Sequence, residues 1–250
     1  FTELLELELP DSVLLSDTTV GEFKKMVQGM FRYAVDSELV ESSPAIDMNL
    51  KLNKASSYAP YSKAEVRLIL ESAQTENKVW KKWLPAIAAY TGCRRSEIVQ
   101  LRGEDVKFDD DSGRHYFSIT PDAGPVKSKA ARRGIPIHKK LVELGFLEFV
   151  ETTGDSRIFK DLQPEGVTAW FTKFLGKLEI ERFDSMENRK VFHSFRHTVI
   201  SNSRGAGNPV ENVQQVCGHE KVSAGVTDIY THDQPLKVVL PVIDLIDYSA

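Results

Sequence analysis

Apolar side chains recur three or four positions apart through most of this chain, and that spacing restricts it to a largely helical fold. Only two short segments, residues 115–119 and 134–137, have the composition of β-strands. We therefore predict a mainly α-helical protein with one small antiparallel β-sheet, an α+β fold. One predicted helix begins at Ser62. The other predicted helices cover residues 18–37, 79–90, 96–103, 141–150, 164–178, 192–203 and 209–217. Pro85 is expected to break the predicted helix over residues 79–90 or to begin it.

The same pattern divides the chain into two parts. Met48 to Pro60 is polar and is predicted to be a linker. The residues before it are too few for a robust core of their own, and the chain begins with Phe1 instead of Met. We therefore expect residues 1–58 to be the last part of a helical domain plus the linker. Residues 59–250 are expected to be the main domain with a C-terminal tail.

The C-terminal tail, Leu236 to Ile246, is apolar and contains Pro241. An apolar segment of this kind has to bury its surface against other protein, and it can do so in two places. It packs either on its own domain or on a neighbouring subunit, and the sequence leaves both alternatives open.

Charge gives two opposing indications about nucleic-acid binding. The formal net charge is −4 and the pI is about 5.9, which argues mildly against it, because affinity for duplex DNA comes largely from Lys and Arg. However, Val126 to Val142 contains six Lys or Arg residues and no acid. A basic working face on an otherwise acidic protein is therefore compatible with this composition.

Composition also excludes several classes of protein. The chain has no run of about 18 apolar residues, so no membrane-spanning segment is expected. Cys93 and Cys217 are the only cysteines, too few for a zinc cluster or a disulfide framework. A reducing, cytoplasmic setting fits this cysteine usage best.

Five side chains from distant segments have complementary chemistry. Two arginines can clamp one phosphate, a tyrosine can attack it, and histidines can move protons or hold an oxygen. His197 lies four residues after His193, and this spacing raises the alternative of a zinc-binding pair. No glutamate occupies the general-base position of zinc proteases, so no metal is expected. The five residues are Arg94 in Thr91-Gly92-Cys93-Arg94, His193 and Arg196 in His193-Ser194-Phe195-Arg196, His219 in Gly218-His219, and Tyr230 in Tyr230-Thr231-His232.

In this order, the segments resemble the catalytic domain of the tyrosine recombinase (phage integrase) family over about residues 61–232. The resemblance implies that Arg94, His193, Arg196, His219 and Tyr230 are catalytic, with Tyr230 as the nucleophile. The family's β-hairpin lysine falls on Lys127, with Lys129 as the alternative. Glu97 is expected to be structural, orienting a neighbouring arginine or closing the turn. The segment Ser43-Pro44-Ala45 resembles the end of the family's DNA-binding core-binding domain.

The resemblance implies site-specific integration or excision of a prophage or other mobile element through a covalent 3′-phosphotyrosyl intermediate. It implies double-stranded DNA as partner, a homotetramer on two duplexes, accessory DNA-bending proteins, no cofactor, and a place at the bacterial nucleoid. Two alternatives stay open: relaxation of DNA by a type IB topoisomerase, and a DNA-binding regulator with the same fold but without the chemistry. One departure is the His219–Tyr230 interval, which is slightly longer than is common in the family.

Overall fold

The structure is a computed structural model that describes residues 15–46, 48, 50, 51, 57–120, 132–160, 162–218 and 234–249. The chain divides into two units, Phe1–Ser57 and Tyr58–Ala250. None of the helices in the described ranges is long and apolar enough to cross a membrane.

The first unit contains helix α1, Asp17–Asp36, which confirms the helix predicted there. Ser16 caps it, because its side-chain oxygen accepts a hydrogen bond from the backbone N–H of Thr19. Gln28 Nε2 donates to the carbonyl oxygen of Ala45 at 3.1 Å, which ties the helix to the segment that follows it. Several large apolar side chains of α1 are solvent-exposed, namely Phe23, Met26, Met30 and Tyr33.

The second unit begins with α2, Lys63–Ala73, and α3, Val79–Thr91. Ser62 and Glu65 form the capping box that the sequence indicates, with both reciprocal hydrogen bonds present. Helix α3 is the centre of the core, because every residue from Leu84 to Thr91 is buried. The break predicted at Pro85 is wrong, since the helix runs through it. Packing around this buried segment offsets the backbone hydrogen bond that proline cannot donate.

A short helix, α4 (Arg95–Gln100), leads through a 3₁₀ turn at Gly103–Asp105 into a small sheet. Its strands are β1 (Val106–Asp109), β2 (Arg114–Ile119) and β3 (Arg133–Pro136), in the order β1-β2-β3 with both pairs antiparallel. Phe117 pairs with Ile135, and both are fully buried. The mainly α fold with a small antiparallel sheet is confirmed, although strand β1 was not predicted.

The remaining helices surround α3 and the sheet. The helix predicted over residues 141–150 is two helices, because Gly145 adopts a left-handed conformation with φ of 84° between them. Helix α8 packs against α3 and against α9. The helices are α5 (Lys139–Glu143), α6 (Phe146–Glu151), α7 (Pro164–Lys177), α8 (Ser194–Gly205), α9 (Val210–Cys217) and α10 (Leu236–Asp244).

The C-terminal tail packs on its own domain. It forms α10, which lies against α9 and β3 and buries Val239, Val242 and Ile243. Beyond the helix, the Tyr248 hydroxyl donates to the carbonyl oxygen of Ala89 in α3 at 3.0 Å. Of the two positions that the sequence left open, the structure has the one within the same chain.

Substitution of Ile243 by alanine tests this packing. Ile243 is fully buried, so Ile243→Ala should lower the free energy of unfolding by about 3 kcal/mol, through lost burial and the cavity left behind. Leu245→Ala is the control, because Leu245 is 56% exposed, and it should change stability by less than about 0.5 kcal/mol. Urea unfolding at two protein concentrations measures both. Wild-type stability in Ile243→Ala would mean that α10 leaves its own domain in solution.

Candidate active site

The turn between α3 and α4 places Arg94 at the surface of the core. Gly92 ends α3 with φ of 67°, and a Cβ atom there would lie 3.2 Å from the side chain of Val199 in α8. A side chain is therefore disfavoured at Gly92 both by its left-handed conformation and by the close approach of α8. Arg94 is the last residue before α4, and its backbone N–H donates to the Glu97 carboxylate at 2.7 Å.

Glu97 is held by two arginine side chains. Arg94 Nη1 donates to Glu97 Oε1 at 2.8 Å. Arg133, at the start of β3, binds both carboxylate oxygens at 3.0 and 2.8 Å. Burial alone would raise the pKa of Glu97, but the hydrogen bonds from Arg133 and Arg94 outweigh it and the pKa lies below its usual value. Glu97 is thus an ionised carboxylate that both closes the turn and orients Arg94, as predicted.

The Arg94 side chain also contacts the end of α9. Its Nη2 atom donates to the carbonyl oxygen of Gly218 at 2.6 Å. Gly218 is left-handed, with φ of 62°, and immediately precedes the predicted site residue His219. Although it is held at two points, the Arg94 side chain is still 38% exposed. It is therefore oriented and remains accessible to a ligand.

Arg196 lies behind the same turn. It is 2% exposed on α8, and its Nη1 atom donates to the carbonyl oxygen of Gly92 at 3.1 Å. Its Nη2 atom is buried, and no residue of the described ranges accepts a hydrogen bond from it. Burial lowers the pKa of Arg196, and nearby Arg94 lowers it further. Leaving a buried donor unpaired costs about 1–3 kcal/mol, so this nitrogen is suited to the oxygen of an anionic ligand.

His193 and Arg94 line one cleft of about 430 Å³. His193 directly precedes α8 and is half-buried, with its ring 5.3 Å from the rings of Tyr58 and of His197. Within the described part of the chain, no carboxylate lines the cleft. It is instead lined by three arginines, together with small polar, aromatic and apolar groups, and this lining favours an anion. The arginines are Arg94, Arg95 and Arg189.

His197 does not share the cleft with His193. Burial lowers the pKa of His197, and the neighbouring Arg196 lowers it further. The ring is therefore neutral at neutral pH, and it packs against Tyr58 at 5.7 Å between ring centroids. This packing indicates a structural role for His197.

The structure thus brings together three of the predicted site residues, namely Arg94, His193 and Arg196. The other predicted residues, Lys127 with its alternative Lys129, His219 and Tyr230, lie outside the described residues. The catalytic roles of all the predicted site residues, those within the described ranges included, stay predictions.

Four residues around the site were not among those predicted from the sequence, namely Arg133, Arg95, Arg189 and Tyr58. One of them had a usable indication in the sequence. Arg133 lies in the basic stretch and two residues before buried Ile135 in β3, so strand alternation places both side chains on one face. A basic residue on the buried face of a strand requires a buried partner.

The model of the phage integrase family matches residues 61–237. No curated protein sequence matches the chain. Among solved structures, the chain is similar to the Tn1549 transposon integrase in complex with a circular intermediate DNA. That match has a TM-score of 0.65 and 18% identity, and covers 89% of this chain and 78% of the other.

Two phage proteins have the same fold. The integrase from mycobacterium phage Brujita matches with a TM-score of 0.52 and 16% identity, over 96% of this chain and 77% of the other. The lambda integrase dimer bound to a COC′ core site matches with a TM-score of 0.57 and 16% identity, over 83% of this chain and 57% of the other. Because the family model covers well over half of the sequence, from just before α2 into α10, the chain belongs to the phage integrase family, and its fold is that of tyrosine recombinase catalytic domains.

Proposed function

We propose that the chain is a site-specific DNA recombinase that integrates or excises a prophage or other mobile element through a covalent 3′-phosphotyrosyl intermediate. The observation that carries the proposal is the pair of arginines around one turn. Arg196 binds the carbonyl of Gly92, Arg94 follows two residues later, and the buried Nη2 of Arg196 has no acceptor in the described part of the chain. Membership in the phage integrase family supports the same chemistry.

The two arginines offset the negative charge that makes this reaction difficult. A phosphodiester is negatively charged and repels nucleophiles, and in-line attack concentrates further charge on its nonbridging oxygens. Planar guanidinium groups bind such oxygens through two parallel hydrogen bonds. Donors that are already in place stabilise developing charge without reorganising, and one such donor lowers the barrier by about 3 kcal/mol. Glu97 keeps Arg94 in place for this role.

The remaining roles fall on the other predicted residues. The Tyr230 oxygen attacks phosphorus, forming the phosphotyrosyl bond as the bond to the 5′ oxygen breaks. A phenol ordinarily has a pKa near 10 and needs a base to lose its proton, so the Tyr230 phenol passes its proton to His193. Lys127, or Lys129 in its place, donates a proton to the departing 5′ oxygen. His219 holds a nonbridging oxygen. Because the phosphotyrosyl bond preserves the energy of the broken bond, rejoining needs no ATP and no cofactor.

The proposal extends to assembly and partners. Residues 1–58 are the end of a core-binding domain that contacts DNA, and residues 59–250 are the catalytic domain with its tail. Strand exchange between two duplexes requires four active sites, so a homotetramer is the working form, with DNA-bending proteins as accessory partners. Solved structures with the same fold include integrases in complex with DNA. Sequence specificity arises from groove contacts and DNA deformability along the whole assembly.

Covalent trapping tests the nucleophile. Nicked duplexes that tile the DNA flanking the coding sequence should form a covalent protein–DNA adduct, because the small fragment released after cleavage cannot religate. Tyr230→Phe lacks the attacking oxygen, so it should bind the duplex and form no adduct on denaturing gels. Tyr116→Phe is the control, since Tyr116 lies in β2 and does not line the cleft, and it should react normally. An adduct from Tyr230→Phe would contradict the assignment. Relaxed plasmid without recombinant product would instead support a topoisomerase.

Replacement of Arg196 by lysine tests the need for the guanidinium shape. Lysine keeps the charge but cannot bind two oxygens at once, so single-turnover adduct formation by Arg196→Lys should fall by about 100-fold. DNA affinity should change much less. Arg204→Lys on the exposed side of the same helix is the control and should react at the wild-type rate. An Arg196→Lys protein that reacts within about twofold of wild type would show that Arg196 does not touch the phosphate.

A further inference from the structure

We infer that Arg133 is a positioning residue for cleavage: it holds Glu97 and neutralises it, so that the charge of Arg94 stays available to the phosphate. The inference rests on the proposed function. Arg133 does not match any position of the family pattern described above. Its side chain is buried, and its three guanidinium nitrogens all donate to Glu97 or to the carbonyl oxygen of Val216, so it is not placed to bind DNA itself.

The first step is the contact between Arg133 and Glu97. Nη1 and Nη2 of Arg133 donate to the two oxygens of Glu97 at 3.0 and 2.8 Å, so the carboxylate is fixed in plane and in rotation. The Nε atom of Arg133 donates to the carbonyl oxygen of Val216 in α9 at 2.8 Å. Arg133 therefore connects strand β3 to α4 and to the end of α9.

The second step leads from Glu97 to Arg94. Glu97 accepts hydrogen bonds from both the backbone N–H and the Nη1 of Arg94. Any rotation of the Glu97 carboxylate would therefore move the guanidinium that lines the cleft. Arg133 acts on the position of Arg94 through a single intermediate carboxylate.

The third step concerns charge. With Arg133 present, one carboxylate faces two guanidinium groups, so Arg94 keeps an excess of positive charge on its exposed side. Without Arg133, the largely buried Glu97 carboxylate, whose side chain is 14% exposed, would be balanced by Arg94 alone. Glu97 and the phosphate would then compete for the same cation, which weakens phosphate binding.

Gly218 gives independent support for close packing of this group. A Cβ atom at Gly218 would lie 2.7 Å from Cζ and Nη1 of Arg133. The same residue offers its carbonyl oxygen to Arg94 at 2.6 Å. The Arg133 guanidinium thus lies against the residue that holds the second end of Arg94, directly before His219.

A double-mutant cycle separates this role from a general contribution to folding. The proteins are wild type, Arg133→Met, Arg94→Ala and the double variant, assayed for adduct formation on the nicked duplex. If Arg133 acts through Arg94, Arg133→Met should slow the wild type by about 100-fold. In the Arg94→Ala background it should slow the reaction by less than about threefold, because the group it positions is gone. Equal factors in both backgrounds would overturn the inference.

A second substrate gives a readout that does not change when a variant is merely less stable than the wild type. A methylphosphonate at the scissile position carries a methyl group in place of one nonbridging oxygen and has no negative charge, so cleavage depends less on Arg94. The defect of Arg133→Met should shrink by at least about tenfold on this substrate. Arg114→Met is the control, since Arg114 makes a comparable two-point ion pair with Asp244 away from the cleft. Its effect should be the same on both substrates. An Arg133→Met defect of equal size on both substrates would assign Arg133 a purely structural role.

The same proteins distinguish failure of this inference from failure of the proposed function. Wild type that binds the nicked duplexes without forming an adduct would contradict the proposed chemistry. The double-mutant cycle of Arg133→Met and Arg94→Ala is then measured through the Kd of each protein for the duplex. Losses that are not additive support positioning of Arg94 by Arg133, and additive losses overturn it.

Discussion

The arrangement of the candidate site depends on one buried carboxylate. Glu97 is charged in a place where burial disfavours charge, and two guanidinium groups are what make that charge stable there. Removing one partner of such a buried pair typically costs about 3–5 kcal/mol, because the other charge is left uncompensated. Through Arg94 and Arg133, this carboxylate links α4 to strand β3 and to the end of α9. The mutual positions of these elements and the direction of Arg94 are therefore parts of one interaction.

Apolar packing supplies the second constraint. The end of α3 approaches α8 so closely at Gly92 that a Cβ atom would lie 3.2 Å from Val199. That approach brings the Gly92 carbonyl within reach of Arg196. The core thus fixes the position of the buried cation, Arg196. The turn that follows α3 carries the exposed cation, Arg94. A rigid core of this kind is a suitable support for groups that bind a phosphate without reorganising.

Much of this arrangement could be predicted from residue patterns, and the exceptions have physical causes. Helices α1 and α2 follow from apolar spacing and capping side chains, which act within a few residues. Strand β1 has only four residues and lies at the edge of the sheet, where Phe108 is 52% exposed, so its apolar alternation is too short to distinguish it from a loop. The division between α5 and α6 depends on the backbone conformation of Gly145.

The site shows the same limit. Arg94, His193 and Arg196 were found because their local segments match a family pattern, and the structure brings them to one turn and one cleft. Arg133 was missed, because its bond to Glu97 spans 36 positions and depends on how β3 lies against α4. Contacts at that separation follow from the packing of whole elements, which no local pattern specifies.

The central claim is that Arg94 and Arg196 bind the same phosphate, within reach of the Tyr230 oxygen. The most direct measurement is an experimental structure of the chain on a nicked duplex with vanadate at the scissile position. The account predicts guanidinium nitrogens of both arginines within about 3 Å of nonbridging oxygens on one vanadium atom, with the Tyr230 oxygen bonded to that atom. Arginines bound to different phosphates, or a vanadate that neither arginine touches, would contradict it.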